Sequence, residues 1–349
     1  MSVNDFVRVL DTAFIEFGSP QPEALVATLA RLGFRQAGRH RSKRITWMRQ
    51  GGVNFIVTAE PGSHAARFAE AHGPSCAGMA FLVGDAAASI RTAQQRGARP
   101  AMYADHALLP AAALRGIGDS ALYLVDATWL SELKSQFHFE PVEEPPAPFQ
   151  RVDHVTHCVN PGHMSEWVDF YKRIFGFEEV FKFVAGNAEN GFDTIAVRAP
   201  DSAACVTVIE PMGAASQIQE FIDEYRGEGI QHVAMSSGDL YATVERLTSQ
   251  AIEFLPTPAA YYEALDERIP GHGEDVSRLQ RLNMLMDGAN TGENPHAGAR
   301  LLLQIFTRKM VGPIFFEAIQ RKGDTSFGEG NAKALFEAIK REQEGARPS

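Results

Sequence analysis

The sequence predicts an α+β protein built from two similar halves. Three observations lead to this prediction. Apolar runs typical of strands alternate with helical patterns, a segment rich in proline and acidic residues interrupts the chain at 140–150, and the order of elements after it repeats the order before it. A chain of 349 residues also suits two hydrophobic cores of roughly 150 residues each better than one.

In the first half, short apolar runs predict strands, and longer runs with apolar residues three or four apart predict helices. The predicted strands cover 13–17, 53–57, 78–83 and 122–125, and the predicted helices cover 22–34 and 87–98. The second half begins with a strand at 152–159, a helix at 164–177 that ends at Gly176, and strands at 194–199 and 205–211. A further unit has a strand from 229, a helix at 241–252 and strands at 299–307 and 313–321.

The segment EPVEEPPAPFQ separates the two halves and has no apolar periodicity. We therefore predict a first domain at 1–139, a linker at 140–150, a second domain at 151–343 and a charged tail at 344–349.

Composition excludes several functional classes. The net charge of -10 and the pI near 5.6 argue against a nucleic-acid-binding face, which is basic. The sequence has no apolar run of about 18 residues and no signal-peptide pattern at its start, so we expect a cytoplasmic protein without a membrane partner. Cys76, Cys158 and Cys205 are odd in number and widely spaced, which is typical of buried thiols in a reducing compartment.

One acidic residue stands out in the stretch PIFFEAIQRKGDTSFGEGN at 313–331. Glu317 lies between Phe316 and Ala318 in a run typical of a buried strand. A buried carboxylate is costly unless it is paired or bound to a metal. Glu317 either pairs with Arg321, faces solvent, or has metal-binding partners elsewhere in the chain.

The internal repeat identifies candidate partners for this carboxylate. Aligning CAGMAFLVGD (76–85) with IQHVAMSSGD (230–239), and the flanking strands accordingly, sets His154, His232 and Glu317 opposite Ala13, Gly78 and Leu124. One half thus has three residues that can bind a metal where the other half has none. Duplication followed by loss of one site explains this difference.

Two imidazoles and one carboxylate on separate strands match the facial triad of non-heme Fe(II) oxygenases. Such a triad leaves about three coordination positions for a chelating substrate and O₂. His157 competes with His154 for the first position, but the two residues face opposite sides of a strand. We prefer His154 because its local pattern matches that of His232.

Several longer motifs resemble one family. They are HRSK (40–43), HGPSCAGMAF, RGIGDSALYLVD, DHVTHCV, GEGIQHVA, TPAAYYEAL, LLLQIF, GPIFFEAIQRKG and FGEGNAKALFEAI. Together they resemble bacterial 4-hydroxyphenylpyruvate dioxygenases over essentially the whole chain. The resemblance implies two vicinal-oxygen-chelate domains, each an open barrel of paired βαβββ modules, and Fe(II) bound by His154, His232 and Glu317. It also implies a homo-oligomer that converts an aromatic 2-oxo acid and O₂ to homogentisate and CO₂.

The resemblance also assigns a substrate pocket. Its amides match Gln217, Gln231 and Gln304, its aromatic walls match Phe306 and Phe315, and a C-terminal gate helix begins near Phe327 and Asn331. Strand residues Thr194, Thr207 and Ile209 complete the set, with Thr194 at a position where Ser is usual.

Three positions depart from the homogentisate-forming pattern. The family usually has Pro and Asn where Thr207 and Ile209 stand, and Phe where Ala332 stands. Thr207 and Ile209 look more like hydroxymandelate synthase, which shares the substrate and iron site but hydroxylates the benzylic carbon. The other motifs agree better with the dioxygenase, which is the preferred interpretation, with the synthase second.

Two further alternatives stay open at this point. One is a protein of the same fold that binds an aromatic ligand without turnover, against which the retention of all three metal-binding residues argues. The other is an extradiol dioxygenase, which uses the same triad to cleave catechols.

Overall fold

The structure is a computed structural model that describes residues 6–139, 148–289 and 299–345. The first half contains β1 (Val9–Gly18), α1 (Pro22–Arg31), β2 (Arg35–His40), β3 (Ile45–Gln50), β4 (Val53–Thr58), α2 (His64–His72), β5 (Ser75–Val83), α3 (Ala86–Gln95), β6 (Ala113–Arg115), β7 (Ala121–Val125), α4 (Ala127–Ser135) and β8 (Phe137–Phe139). The second half contains β9 (Phe149–Cys158), α5 (Met164–Phe175), β10 (Glu178–Ala185), β11 (Phe192–Arg198), β12 (Cys205–Pro211), α6 (Gln217–Tyr225), β13 (Gly229–Ser237), α7 (Leu240–Ser249), α8 (Ala259–Glu263), α9 (Leu265–Arg268), α10 (Val276–Arg281), β14 (Leu285–Ala289), β15 (Arg300–Phe306), β16 (Phe315–Lys322) and α11 (Glu329–Gly345).

The strands form two mixed sheets of eight strands with closely related plans. The strand order is β6-β7-β5-β1-β4-β3-β2-β8 in the first sheet and β10-β11-β12-β9-β13-β16-β15-β14 in the second. An antiparallel pair lies near the centre of each, β1 with β5 and β9 with β13, and each member has a parallel neighbour on its other side. The predicted α+β class and the repeat of strand, helix and further strands are confirmed. The two sheets differ in one respect. In the first sheet only two strands, β7 and β6, lie beyond β5, whereas in the second sheet three strands, β16, β15 and β14, lie beyond β13. The eighth strand of the first sheet, β8, pairs with β2 at the opposite edge.

Helix ends follow the residues that the sequence provides. The amphipathic helix α5 buries Val168, Tyr171 and Ile174 and ends at Gly176, whose φ of 65° suits glycine. Asp85 and Asp239, which the repeat aligns, each accept a backbone N–H at the start of α3 or α7. Within the described ranges, we find no helix long and apolar enough to cross a membrane.

Strand registers correct part of the predicted repeat. Ala234 lies opposite His154 on one side and Glu317 on the other. Its counterpart in the repeat, Ala80, lies opposite Phe14 and Tyr123. The predicted counterparts Ala13 and Leu124 are therefore each wrong by one residue, although Gly78 does correspond to His232. Because side chains alternate between faces along a strand, this shift of one residue changes which side chain faces inward.

Apolar side chains pack on the inner face of the first sheet, and others form the contact between the two halves. The inner face of the first sheet, which bears Phe14 and Tyr123, is closed by a buried cluster that includes Trp47, Ile56 and Phe137. A larger cluster spans both halves. Within it, Phe17 and Phe55 of the first half contact Phe316 of the second, at ring-centroid distances of 6.3 and 5.8 Å.

The predicted linker and tail lie mainly outside the described residues. Of the linker at 140–150, residues 149–150 already form the start of β9. Of the tail at 344–349, residues 344–345 belong to the last turn of α11.

Candidate metal centre

Three adjacent strands bring His154, His232 and Glu317 together on the inner face of the second sheet. His154 lies on β9, His232 on β13 and Glu317 on β16. The Nε2 atoms of His154 and His232 lie 3.3 and 3.6 Å from Oε2 of Glu317. One potential ligand atom from each residue lies within 4.8 Å of the others, and all three side chains are buried.

Two simpler interpretations of these residues do not fit the geometry. Arg321 does not pair with Glu317; its guanidinium donates to both carboxylate oxygens of Asp153, at 3.0 and 2.9 Å. His157 contacts the hydroxyl of Tyr171 at 2.7 Å, and burial lowers its pKa to about 3. His157 is therefore a neutral core residue in this structure.

A second layer of side chains orients the two histidines. Nδ1 of His154 donates to Oδ1 of Asp153, and Nδ1 of His232 donates to Oε1 of Gln231, each at 3.0 Å. These bonds turn both Nε2 atoms toward Glu317. Asp153 was not predicted as a site residue, although an Asp-His and a Gln-His dipeptide occur at the two histidines.

Electrostatics at the site favour a bound cation. Burial lowers the pKa of His154, but the carboxylates of Glu317 and Asp153 raise it more, to about 9. Burial, together with the charge of His154, lowers the pKa of His232 well below its usual value. A divalent cation would replace the His154 proton as the partner of Glu317. It would also replace the hydroxyl of Thr156, which lies 2.9 Å from Nε2 of His232.

The donor set fits a first-row divalent metal. Two neutral imidazole nitrogens and one carboxylate on one side of the site leave the remaining positions open to other ligands. The outer nitrogens of both histidines already have hydrogen-bond acceptors, as metal-binding histidines usually do.

Most of the predicted pocket residues lie around His154, His232 and Glu317. Directly opposed residues of neighbouring strands face the same side of a sheet. Phe315 lies opposite His232 and stacks on it at a centroid distance of 4.7 Å, and Phe306 lies opposite Glu317. Thr207 lies opposite Thr156. Thr194 and Ile209 oppose each other on the next strands.

The predicted amides Gln304 and Asn331 form a chain of hydrogen bonds that ends at Glu317. Nε2 of Gln304 donates to Oε1 of Glu317 at 3.1 Å, and Oε1 of Gln304 accepts from Nδ2 of Asn331 at 2.8 Å. The hydroxyl of Tyr261 and the guanidinium of Arg268 donate to Oδ1 of Asn331. Tyr261 and Arg268 were not predicted, because short helices about 70 residues away from Asn331 supply them.

Phe327 covers the group from the segment before α11. Its ring meets His154 edge to face at 5.5 Å, and the guanidiniums of Arg198 and Arg321 lie over it at 5.6 and 5.3 Å. Arg321 also donates to the carbonyl of Ser326, which fixes the adjacent backbone.

One predicted pocket residue is not brought to the site. Gln217 is exposed at the first position of α6. This helix turns Ile218, Phe221, Ile222 and Tyr225 toward the core. Gln217 lies on the solvent side, and we correct its assignment to the pocket.

Among the buried hydroxyls that have no hydrogen-bond partner within the described residues, two lie close to the site. They belong to Thr194 and Thr207, both on strands that line the site. A buried hydroxyl without a partner is costly. A polar ligand in the pocket would satisfy both groups.

The duplicated sheets and the buried group of two histidines and one carboxylate define a protein of the vicinal-oxygen-chelate class with a candidate metal site. The family described as "Hydroxyphenylpyruvate dioxygenase, HPPD, N-terminal" matches residues 6–137, and "Glyoxalase/Bleomycin resistance protein/Dioxygenase superfamily" matches residues 151–266. A 4-hydroxyphenylpyruvate dioxygenase of Pseudomonas aeruginosa is 40% identical over 95% of this chain and 93% of its own. The chain belongs to the 4-hydroxyphenylpyruvate dioxygenase family, a family of enzymes.

Two further proteins resemble this chain over most of its length. The protein named hemolysin VllY of Vibrio vulnificus is 42% identical over 92% of this chain and 90% of its own. Among solved structures, a mutant of 4-hydroxymandelate synthase from Streptomyces coelicolor matches with a TM-score of 0.78 and 28% identity, over 96% of this chain and 99% of its own. The chain is therefore similar over more than 90% of its length to a 4-hydroxyphenylpyruvate dioxygenase and to a 4-hydroxymandelate synthase.

Proposed function

We propose that this protein is an Fe(II)-dependent dioxygenase that converts 4-hydroxyphenylpyruvate and O₂ to homogentisate and CO₂. The buried group of His154, His232 and Glu317 carries the proposal, because it retains a complete facial triad in a chain of this family. This reaction would belong to tyrosine and phenylalanine catabolism in the cytoplasm.

His154, His232 and Glu317 would hold the iron. The bound metal would supply a site where the 2-oxo acid chelates and O₂ is reduced. Glu317 contributes the single negative charge of the donor set, and Gln304 restrains one of its oxygens. Asp153 and Gln231 hold the two imidazoles with Nε2 directed at the metal.

Aromatic side chains would contact the ring of the substrate, and polar side chains would bind its polar ends. Phe315 and Phe327 flank the metal-binding histidines, exclude water and give the aromatic ring an apolar surface. The unpaired hydroxyls of Thr194 and Thr207 provide hydrogen bonds for the polar ends of the substrate.

Access requires movement of the segment that leads into α11. His154, His232 and Glu317 are each less than 10% exposed. Phe327 packs against His154, and Asn331 in the first turn of α11 is bonded to Gln304, the partner of Glu317. Gly328, between them, has a φ of +81°, a conformation that favours glycine. We infer that this segment is the gate for the substrate.

A specific observation keeps 4-hydroxymandelate as a second candidate product. Thr207 and Ile209 lie on the strand where homogentisate-forming relatives usually have Pro and Asn. Ile209 gives this part of the pocket an apolar side chain beside Thr194. That change alters how the ring is held without altering the metal-binding residues.

The test combines metal binding, substrate chelation and product analysis. Protein loaded anaerobically with Fe(II) is mixed with 4-hydroxyphenylpyruvate, and the weak visible charge-transfer band of a chelated 2-oxo acid is expected. Chromatography after admission of O₂ then compares the product with homogentisate and 4-hydroxymandelate standards. Absence of stoichiometric Fe(II) uptake would support a ligand-binding protein, and a band with a catechol alone would support an extradiol dioxygenase.

We also infer a homo-oligomer of subunits with domains at 1–139 and 151–343. The family resemblance supports this inference. Analytical ultracentrifugation checks it, since a single species at the monomer mass of 38.2 kDa would contradict it.

A further inference from the structure

The residue before His154 lies at a β-bulge. In the ladder between β9 and β13, Ala234 opposes His154 and Met235 opposes Val152. Asp153 is therefore an additional residue without a partner in the ladder. A bulge rotates the extra residue relative to regular alternation, so its side chain can lie beside that of the next residue.

The residue before His232 lies at a second bulge of the same ladder. Ile230 opposes His157 and His232 opposes Thr156, which leaves Gln231 as the additional residue. In regular strands Asp153 and Gln231 would point away from the histidines that follow them. At the bulges they instead accept the Nδ1–H of those histidines.

The first half has both bulges at the same places. The ladder between β1 and β5 skips Ala13, just before Phe14, and Ala77, just before Gly78. Phe14 and Gly78 correspond to His154 and His232. The bulges therefore belong to the duplicated fold, and a hydrogen-bond acceptor occupies them only in the half that has the histidines.

The two acceptors differ in charge. Asp153 is a carboxylate whose two oxygens accept from His154 and from the guanidinium of Arg321. Because a carboxylate accepts only, Nδ1 of His154 must carry the proton. Gln231 offers His232 a neutral amide oxygen.

We propose that Asp153 and Gln231 are positioning residues that fix the tautomer and ring orientation of His154 and His232 for the metal. The inference rests on the proposed function only in requiring a metal at this site; it does not depend on the substrate. Each bulge acceptor keeps the proton on Nδ1 and leaves the lone pair of Nε2 free for the metal. Losing a hydrogen-bond partner of this kind typically lowers metal affinity by roughly 10- to 100-fold.

The first test replaces one acceptor oxygen of Asp153. In Asp153→Asn the amide nitrogen takes the place of Oδ1 and faces Nδ1 of His154, or takes the place of Oδ2 and faces Nε of Arg321, so one of these donors loses its acceptor. Zn(II) affinity of the full chain, measured by competition with a chelator, is expected to fall by about 10- to 100-fold. The matched control is Asp239→Asn, which retains an N-cap at α7 and should bind Zn(II) as tightly as the wild type.

The second test uses Gln231 and still decides the question if Asp153→Asn fails to fold. Gln231→Leu keeps the size but removes the acceptor, and it should weaken Zn(II) binding. Gln231→Glu keeps an acceptor oxygen and should rescue binding. In long-range ¹H–¹⁵N spectra of the Zn(II)-loaded protein, the Nδ1–H of His232 should exchange slowly with water in the wild type and faster in Gln231→Leu, because only the wild type has the acceptor; equal exchange in the two proteins would show a merely structural role.

The outcomes separate this inference from the proposed function. If Asp153→Asn and Gln231→Leu fold and bind Zn(II) as tightly as the wild type, the positioning role is overturned and the dioxygenase proposal stands. If the wild type takes up neither Zn(II) nor Fe(II), both fail. If Zn(II) binding weakens as expected but 4-hydroxyphenylpyruvate is not converted, only the proposed reaction fails.

Discussion

Asn331 donates from its side-chain amide to Oε1 of Gln304 at 2.8 Å, and this bond joins the first turn of α11 to the candidate metal centre. The other end of the Gln304 amide donates to Glu317. The position of the helix and the position of the candidate metal-binding carboxylate are therefore linked through one side chain. A change that displaces Gln304 should affect both.

Gly328→Ala makes such a change. A Cβ at this position would lie 2.0 Å from Oε1 of Gln304, the atom that accepts from Asn331. We expect kcat/KM for 4-hydroxyphenylpyruvate to fall at least tenfold and the free energy of unfolding to fall by about 1–3 kcal/mol, because buried polar groups lose their partners. Steady-state kinetics and urea unfolding provide the two measurements.

Gly62→Ala is the matched control for Gly328→Ala. Gly62 also has a positive φ, +75°, but nothing lies within 4 Å of an added Cβ. Gly62→Ala therefore introduces the same kind of backbone strain as Gly328→Ala, but without a clash with a neighbouring side chain. Equal losses of activity in the two variants would contradict the role given to Gln304.

Ile209→Asn should change the distribution of products. Ile209 opposes Thr194, whose hydroxyl is buried and unpaired in the described structure. An amide here would offer a hydrogen bond to that hydroxyl or to the substrate phenol and would reorient the ring. We expect the ratio of homogentisate to 4-hydroxymandelate to rise several-fold, by chromatography. Ile209→Val keeps the apolar surface and should leave the ratio unchanged; if Ile209→Asn also leaves it unchanged, this strand does not determine the product.

A buried acid of the first half predicts a dependence of stability on pH. Oε1 and Oε2 of Glu16 accept from the hydroxyls of Thr58 and Tyr123, each at 2.6 Å. Burial raises the pKa of Glu16, and the two hydrogen bonds only partly oppose it. The folded state therefore keeps this proton to higher pH than the unfolded chain. The stability it contributes is complete below the unfolded pKa and is lost as the pH rises through the folded pKa.

Glu16→Gln removes this titration. Relative to the wild type, its free energy of unfolding should improve as the pH rises from the unfolded pKa of Glu16 to its folded pKa, by about 1.4 kcal/mol for each unit between the two. Urea unfolding at several pH values measures the difference. Glu23→Gln, at a side chain that is 86% exposed, should show no such trend. A difference between Glu16→Gln and the wild type that stays constant with pH would show that Glu16 is ionised in the fold.

Element order and the three central residues of the site could be predicted from the sequence, because periodicity and helix signals are local. Asp85, Asp239 and Gly176 act at helix ends in the way their residue types suggest. The family motifs pointed to three candidate metal-binding residues that the structure brings together, and to most of the residues around them. Long motifs such as GPIFFEAIQRKG were specific enough to point to the site, whereas a single histidine in a strand was not.

The details that failed depend on nonlocal geometry. The counterparts Ala13 and Leu124 were each wrong by one residue, because the pairing of the strands sets the correspondence between the two halves and the residue pattern does not show that pairing. The role of Asp153 was hidden for the same reason, since regular alternation turns it away from His154. Gln217 faces solvent because the packing of α6 decides which of its sides is buried.

Glu317→Ala tests the site most directly. The carboxylate is the only anion among the three candidate metal-binding residues, and it lies within 3.6 Å of both imidazoles. The wild type should gain about 4 kcal/mol of stability when a divalent metal is present at 1,000 times its dissociation constant, because the metal binds only the folded state. Glu317→Ala should lose that gain and all product formation while remaining folded in metal-free buffer. Glu253→Ala, at a side chain that is 77% exposed, should keep both. Product formation by Glu317→Ala at the wild-type rate would refute the assignment of this residue as a metal ligand.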